Sequence, residues 1–185
     1  MRKTVLLAAL IILAAWGCRG DRGPGPAAKE NKPGPAATAA ASFVTAKEGR
    51  FTLAGKPYYF VGANFWQGMN LAVDGPSGDR ARLLRELDRM RDLGLTNLRV
   101  MASSEGPNTE PFRTVPALMT APGEYDGSVL DGLDFLLAEM GKRGMRAVMV
   151  LNNFWQWSGG MAQYVSWHEK TPIPYPGDYE KFINY

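Results

Sequence analysis

The sequence predicts an α/β domain of the (β/α)8 TIM-barrel class, with the first three strand–helix units present in the 185 residues. Two observations favour a parallel sheet: short strands alternate with amphipathic helices, and the strands are nearly continuous apolar runs. That order alone also fits a doubly wound sheet. The third observation favours the barrel, because polar and aromatic residues follow each strand, at the face where barrels build their sites. No glycine-rich phosphate loop follows the first strand.

The elements follow in the order hairpin, strand, helix, strand, helix, strand. A glycine turn predicts the hairpin, and leucines and methionines at helical spacing predict the helices. Asp79 is expected to cap the first helix, which Gly94 ends, and Gly144 ends the second. A long proline-containing loop precedes the second helix. The predicted ranges are 51–60 for the hairpin, 59–64, 96–101 and 145–151 for the strands, and 79–93 and 128–142 for the helices.

The first 42 residues are expected to lie outside the folded domain. Residues 1–18 resemble a lipoprotein-type signal, with a basic start, an apolar run too short to span a membrane, and Cys18 as the lipidation candidate. The alternative is a plain secretory signal with an incidental cysteine. Residues 19–42 are rich in Pro, Gly and Ala and predict a tether, and residues 43–185 hold the domain. Both alternatives predict export, with lipid anchoring at the bacterial cell envelope as the favoured form.

Composition excludes several classes of function. The net charge is +3 and the basic residues are scattered, which does not favour nucleic-acid binding. One Cys excludes an internal disulfide, and a single histidine, His168, excludes a multi-histidine metal site within this sequence. We therefore expect no metal and no cofactor. His168 is expected in an aromatic loop at the rim.

The segment after the third strand is the sharpest candidate site. It places Asn153, Trp155 and Trp157 close together, just before the pair Gly159-Gly160. Sugars present apolar C–H faces and a rim of hydroxyls, so a site for them needs flat aromatic walls with a few amide groups. The alternative is that the indoles only pack at the rim of the domain. Composition leaves both interpretations open.

Asn64 and Trp66, after the first strand, give a similar but weaker signal. Arg99 interrupts the apolar second strand and needs a partner if it is buried. It is placed to hold a carboxylate in the site by a bidentate pair, or else to form a structural ion pair with a helix residue. Three glutamates of the long loop, Glu105, Glu110 and Glu124, are discounted as a catalytic pair, because a proline-rich loop is a poor mount for two carboxyls at fixed spacing.

Four segments resemble glycoside hydrolase family 5, and most of all its β-mannanases. They are LxGKPYYFVGANFW at 53–66, LGLxNLRV at 93–100, VLDGLDF at 129–135 and LNNFWxWSGGxxQYVxW at 151–167. The resemblance implies a (β/α)8 barrel that hydrolyses β-1,4-mannan within the chain, with retention of configuration. It also implies that Arg99 supports the nucleophile, that Trp155 stacks on a sugar, and that Asn64 and Trp66 line the cleft.

In that family the acid/base glutamate follows the fourth strand and the nucleophile ends the seventh. The sequence stops at Tyr185, at what is predicted to be the start of the third helix. We therefore expect neither glutamate among these residues, and expect this segment alone to be inactive and poorly soluble, because three parallel strands leave open edges. The full-length protein is expected to be a monomer. Two alternatives stay open: a surface lipoprotein that binds glycan without cleaving it, and a family 5 enzyme acting on another β-glucan such as cellulose.

Overall fold

The computed structural model describes residues 43–185. The predicted signal, Cys18 and the tether lie outside the described residues. Eight strands and five helices of four residues or more make up this part of the chain, together with a single 3-10 turn at Gln156–Ser158. In chain order they are β1 Val44–Lys47, β2 Arg50–Leu53, β3 Lys56–Pro57, β4 Gly62–Asn64, α1 Gly68–Leu71, α2 Arg80–Asp92, β5 Asn97–Met101, β6 Met119–Ala121, β7 Glu124–Tyr125, α3 Gly127–Lys142, β8 Arg146–Val150, α4 Gly160–Glu169 and α5 Tyr179–Ile183.

The central sheet is parallel and has the strand order β4-β5-β8. Its register pairs Leu98 of β5 with Ala63 of β4 and with Ala147 of β8. The crossovers between these strands run through α2 and α3, which pack on each other and so lie on one face of the sheet. The three predicted strands are confirmed, although β4 is half the predicted length. The chain before it, residues 59–61, is exposed and outside the sheet.

Both long helices begin and end within one residue of the predicted positions. The Asp79 carboxylate accepts a hydrogen bond from the amide of Arg82 at 2.8 Å, and Asp126 caps α3 in the same way through Ser128 at 2.8 Å. Gly94 and Gly144 follow the two helices with φ of 81° and 70°, the left-handed conformation that glycine adopts without strain. The second helix starts one residue before its predicted start.

The core lies between the helices and one face of the sheet. It is built from side chains of α2, α3, β5 and the segments beside them: Phe65, Ala72, Leu83, Leu87, Leu98, Val100, Leu136, Met140 and Met145. Within the described residues the helices cover only one face of the sheet. Arg99 and Val148 point to the opposite, helix-free face, because side chains alternate along a strand, and both are exposed.

Three features were missed. Strand β1 pairs antiparallel with β2, extending the predicted β2–β3 hairpin to a three-stranded sheet. The long loop contains a second hairpin, β6–β7, whose turn holds Pro122 and Gly123, the latter at φ 78°. The predicted rim loop around His168 is instead α4. No helix within residues 43–185 has the length and apolar character needed to cross a membrane.

Candidate substrate-binding face

The helix-free face of the sheet carries a row of three side chains, one on each strand. Asn64 in β4 pairs with Arg99 in β5, and Arg99 pairs with Val148 in β8. All three are exposed. Their neighbours along the strands, Ala63 and Ala147, pack instead against the core on the helix side. Sheet register therefore brings two of the predicted site residues, Asn64 and Arg99, side by side on the open face.

Arg99 does not form the structural ion pair considered for it. Within residues 43–185 no carboxylate lies within salt-bridge distance of its guanidinium, and the side chain is exposed rather than buried. Its guanidinium carbon instead lies 5.8 Å from the ring centroid of Trp66, within range of a cation–π contact. An exposed arginine on this face is available to an anionic group of a partner segment or ligand.

Trp66 and Trp157 form one aromatic wall. Their ring centroids lie 4.8 Å apart with the planes tilted by 39°. Trp66 keeps 38% of its surface exposed, and Trp157 is half-buried. One residue follows β4 and the other follows β8, the two outer strands, and Arg99 of the middle strand lies beside Trp66. We call Trp66, Trp157 and Arg99 the platform.

Trp155 belongs to a different cluster. Its ring stacks on Phe182 of α5 with centroids 6.2 Å apart and an interplanar angle of 22°, and the edge of Phe154 meets it at 5.1 Å. It retains 38% exposure. Trp155 and Trp157, which the sequence placed in one candidate site, are therefore divided: Trp157 lies with Trp66, and Trp155 packs with residues near Tyr185. Its predicted contact with a sugar stays a prediction.

Asn153 is engaged within its own loop. Its side-chain nitrogen donates to the Ser158 hydroxyl at 2.9 Å, and its side-chain oxygen accepts from the Phe154 amide at 2.9 Å. The Ser158 hydroxyl in turn donates to the Trp155 carbonyl at 3.1 Å. These bonds shape the turn that presents Trp157. A direct contact of Asn153 with substrate stays a prediction.

The residue that sequence reasoning missed is Glu105. The proline-rich loop was judged a poor mount, yet Glu105 is only 3% exposed and is fixed by both its backbone and its side chain. Its carboxylate accepts hydrogen bonds from the Gly160 amide at 2.8 Å and from the Tyr164 hydroxyl at 3.2 Å. Its own amide donates to the Ser158 carbonyl at 2.8 Å. Glu105 thus joins the loop after β5 to the first turn of α4.

Burial is the largest influence on the pKa of Glu105 and on that of Tyr164. It raises the pKa of the Glu105 carboxyl, against the hydrogen bonds from Gly160 and Tyr164 and the charge of Arg113. Burial, together with the neighbouring Glu105 charge, raises the pKa of Tyr164 to about 12. Tyr164 is therefore a neutral hydrogen-bond donor at physiological pH.

Arg113 supplies a second connection between the same two loops. Its guanidinium donates to the Gln156 carbonyl at 2.6 Å and to the side-chain oxygen of Gln163 in α4. Burial lowers the pKa of this guanidinium, and the charges of Glu110 and Glu105 oppose that shift. The amide of Thr114 also donates to the Trp157 carbonyl at 2.7 Å. The loop over 105–114 therefore holds the backbone on both sides of Trp157.

Two glycines make this close approach possible. A Cβ atom at Gly159 would lie 2.0 Å from the Glu105 carbonyl oxygen, and one at Gly160 would lie 2.2 Å from the Asn153 carbonyl oxygen. Both residues also have positive φ, 83° and 62°. Gly159 lets the loop after β5 touch the turn before α4, and Gly160 lets that turn fold back on Asn153 of its own segment. A cluster of three or more metal-ligating side chains was not found among residues 43–185.

Comparison with known proteins decides the family. Residues 41–185 match the family model described as GH family 5 beta-mannosidase-like. The chain belongs to glycoside hydrolase family 5. The predicted resemblance is thereby confirmed. A family 5 mannosidase from Rhizomucor miehei is 48% identical, covers 78% of this chain and 36% of its own, and superposes with a TM-score of 0.74.

Other family 5 proteins match at lower identity. The mannan endo-1,4-beta-mannosidase 3 of Solanum lycopersicum is 33% identical over 142 residues, covering 77% of this chain and 33% of its own length. The endo-1,4-beta-mannanase of Rhizomucor miehei shares the fold with a TM-score of 0.53 at 23% identity, covering 77% and 39% of the two chains. A variant of the Rhizomucor miehei mannosidase has been crystallised with mannosyl-fructose. The family 5 chain described here spans about a third of the length of these relatives.

Proposed function

We propose that the whole protein is a retaining glycoside hydrolase that cleaves β-1,4-mannosidic bonds in mannan-type polysaccharides. The observation that carries this proposal is the platform, with Trp66 against Trp157 at 4.8 Å and Arg99 beside Trp66. The 48% identity to a family 5 mannosidase supports the substrate class. In the proposed whole fold, an eight-stranded TIM barrel, β4, β5 and β8 are the first three strands, and the helix-free face of the sheet faces the barrel interior.

The chemistry requires two carboxyl groups about 5–5.5 Å apart. One attacks the anomeric carbon while the other protonates the departing glycosidic oxygen, and the second then activates water to release the sugar. We propose that both are glutamates beyond Tyr185. Within the described residues, Glu105 is committed to Gly160 and Tyr164 and is not proposed for either role.

Arg99 is proposed to orient the nucleophile. Its exposed guanidinium, on the open face of β5, presents the fork of donors that binds a carboxylate by two parallel hydrogen bonds. A carboxylate held in that way stays ionised and correctly directed. Asn64, which pairs with Arg99 in the sheet, is proposed to bind a sugar hydroxyl next to it.

The test is hydrolysis by the full-length protein of mannan, of carboxymethyl cellulose and of mannohexaose, with the anomeric form of the first product followed by NMR. Release of β-anomeric manno-oligosaccharides is the expected result. Arg99→Lys keeps the charge but loses the bidentate fork, and is expected to lower kcat at least tenfold with little change in KM. Activity on cellulose alone, or glycan binding without cleavage, would contradict the proposal.

A second candidate concerns the mode of cleavage. The higher identity to the Rhizomucor miehei mannosidase, 48% against 33% for the Solanum lycopersicum mannanase, favours removal of single mannose units from chain ends. Time courses on mannohexaose separate the two modes. Mannose as the sole early product indicates end-wise cleavage, whereas mannobiose and mannotriose as early products indicate internal cleavage.

We also propose that the protein is exported and anchored by a lipid on Cys18. Lipidation converts a soluble domain to a membrane-attached one, and residues 19–42 would then act as the tether. The full-length protein should fractionate with membranes in a bacterial host, and Cys18→Ser should release it to the soluble or precursor fraction. If wild type and Cys18→Ser appear in the same fraction, the plain secretory signal is favoured over lipidation of Cys18.

A further inference from the structure

Glu105 is a buried carboxylate that the proposed chemistry does not use. It lies on the loop after β5, and each of its polar contacts in the described chain goes to the segment 158–164. A glutamate at 3% exposure is costly unless its charge is met by donors, which here are the Gly160 amide and the Tyr164 hydroxyl. The Gly160 amide is also the first of the ten-residue helix α4, whose N-terminal end favours a negative charge.

The segment that Glu105 holds is the one that carries Trp157. The Ser158 carbonyl accepts from the Glu105 amide, and the Gly159 backbone fits against the Glu105 carbonyl with no room for a Cβ atom. Each of the residues 158–160 therefore contacts Glu105: Ser158 through its carbonyl, Gly159 through its backbone and Gly160 through its amide. Trp157 directly precedes them, so a shift of this turn moves the indole that completes the platform with Trp66.

We propose that Glu105 is a positioning residue that sets the place of Trp157 in the platform, and so sets the affinity for a mannosyl unit. The inference rests on the proposed function for its ligand. Glu105 does not touch the reacting atoms in this scheme. It acts through Gly160 and Tyr164 on the aromatic wall.

The test compares four forms of the full-length protein: wild type, Glu105→Gln, Tyr164→Phe and the double variant. The carboxylate accepts from two donors, but a glutamine amide has one acceptor oxygen and turns its NH2 group toward one of them. Glu105→Gln is expected to weaken mannohexaose binding and raise KM about tenfold, with kcat within about threefold of wild type. Tyr164→Phe leaves the Gly160 contact in place and should raise KM about threefold. The double variant should resemble Glu105→Gln alone, since both changes act on one contact.

Glu124→Gln is the matched control, because Glu124 is an exposed glutamate at the turn of the β6–β7 hairpin. It makes the same change of charge and should leave KM unaltered. Binding is read by quenching of tryptophan fluorescence, which does not require turnover, and each variant's fold is checked by near-ultraviolet circular dichroism. If Glu105→Gln does not fold, Tyr164→Phe decides alone.

The outcomes separate this inference from the proposed function. Wild type that binds mannohexaose but cleaves no mannan would contradict the proposed activity and leave the positioning role measurable by binding. Equal affinity of wild type and the folded variants would overturn the positioning role even where mannan is cleaved. A loss confined to kcat would overturn it as well, and so would the absence of binding by wild type.

Discussion

The indole of Trp66 lies against that of Trp157, with 4.8 Å between ring centroids, although one follows β4 and the other β8. These strands are not neighbours, because β5 lies between them in the sheet. The contact therefore joins segments that follow the two outer strands, and Arg99 of the middle strand lies beside Trp66. An aromatic wall next to an arginine is a feature of the tertiary fold and of no single segment.

Replacing Trp157 by Ala should weaken mannohexaose binding by at least tenfold, about 1.4 kcal/mol. The change removes one ring of the wall and leaves Trp66 without its aromatic partner, a contact worth about 0.5–1.5 kcal/mol by itself. Fluorescence titration of the full-length protein measures the affinity. Trp155→Ala is the comparison: because that ring stacks on Phe182, we expect a smaller loss of affinity. A larger loss for Trp155 would assign the main sugar contact to the other cluster.

Gly159→Ala should distort the turn that follows Trp157. The new methyl group would lie 2.0 Å from the Glu105 carbonyl oxygen, and alanine at φ 83° is strained as well. We expect a loss of stability above about 2 kcal/mol and activity at least tenfold lower. Thermal unfolding and mannan hydrolysis measure the two effects. Gly177→Ala is the control, since a Cβ atom there meets no neighbour within 4 Å; comparable losses in both variants would contradict the packing argument.

Because the pKa of Glu105 is raised, we expect the stability of the protein to depend on pH. Folding favours the protonated form of this carboxyl, whose ordinary pKa is 4.5. As pH rises from about 4.5 through the raised pKa, the unfolded chain loses this proton first, and wild type loses stability relative to Glu105→Gln. Above the raised pKa the difference is constant. Urea unfolding of both proteins between pH 4 and pH 8 measures it. A difference that is independent of pH would show that the Glu105 pKa is the same in both states.

Arg143 joins α2 to α3, and its loss should destabilise the domain. Its guanidinium donates to Asp88 of α2 at 2.9 Å and to Glu139 of α3 at 2.7 Å. The contact with Arg143 lowers the pKa of Asp88, and hydrogen bonds from Lys142 and then Arg143 lower the pKa of Glu139. Arg143→Met leaves Glu139, with 10% side-chain exposure, short of a partner, and should cost about 2 kcal/mol. Lys142→Met is the comparison: Lys142 also bonds Glu139, but it is 69% exposed, and its loss should change thermal unfolding less than the loss of Arg143. Restoration of part of the loss by Glu139→Gln in the Arg143→Met background would identify the lost contact between Arg143 and Glu139 as the cause.

Local signals were sufficient for the long elements and for the sheet. The leucine spacing of α2 and α3 and the cap at Asp79 depend on neighbours within one turn, which a sequence displays directly. The cap of α3 at Asp126 was not predicted. The β6–β7 hairpin was missed because its strands are short, although Pro122-Gly123 is a recognisable turn signal. Helix α4 was missed because aromatic and polar residues there were interpreted as a loop.

The site was predicted less completely, because much of it depends on contacts between distant segments. Trp66, Trp157 and Arg99 were each singled out by type and position, but nothing in the sequence indicates which of them meet. Glu105 was discounted because it lies in a proline-rich loop. In the structure it is fixed by the first turn of α4, more than fifty residues later in the chain. A loop is rigid when another element fixes it, and that partner is visible only in three dimensions.

The contact between Gly159 and the Glu105 carbonyl has a practical consequence for changing substrate preference by mutagenesis. The residues between β8 and α4 are the obvious ones to randomise in a library, because they carry the exposed aromatic rings. In a library that varies Gly159, most members would carry a side chain that pushes the turn away from Glu105, and in one that varies Gly160 most would carry a side chain that clashes with Asn153 in the same segment. Diversity should therefore be confined to positions such as 154–156, with both glycines encoded without variation.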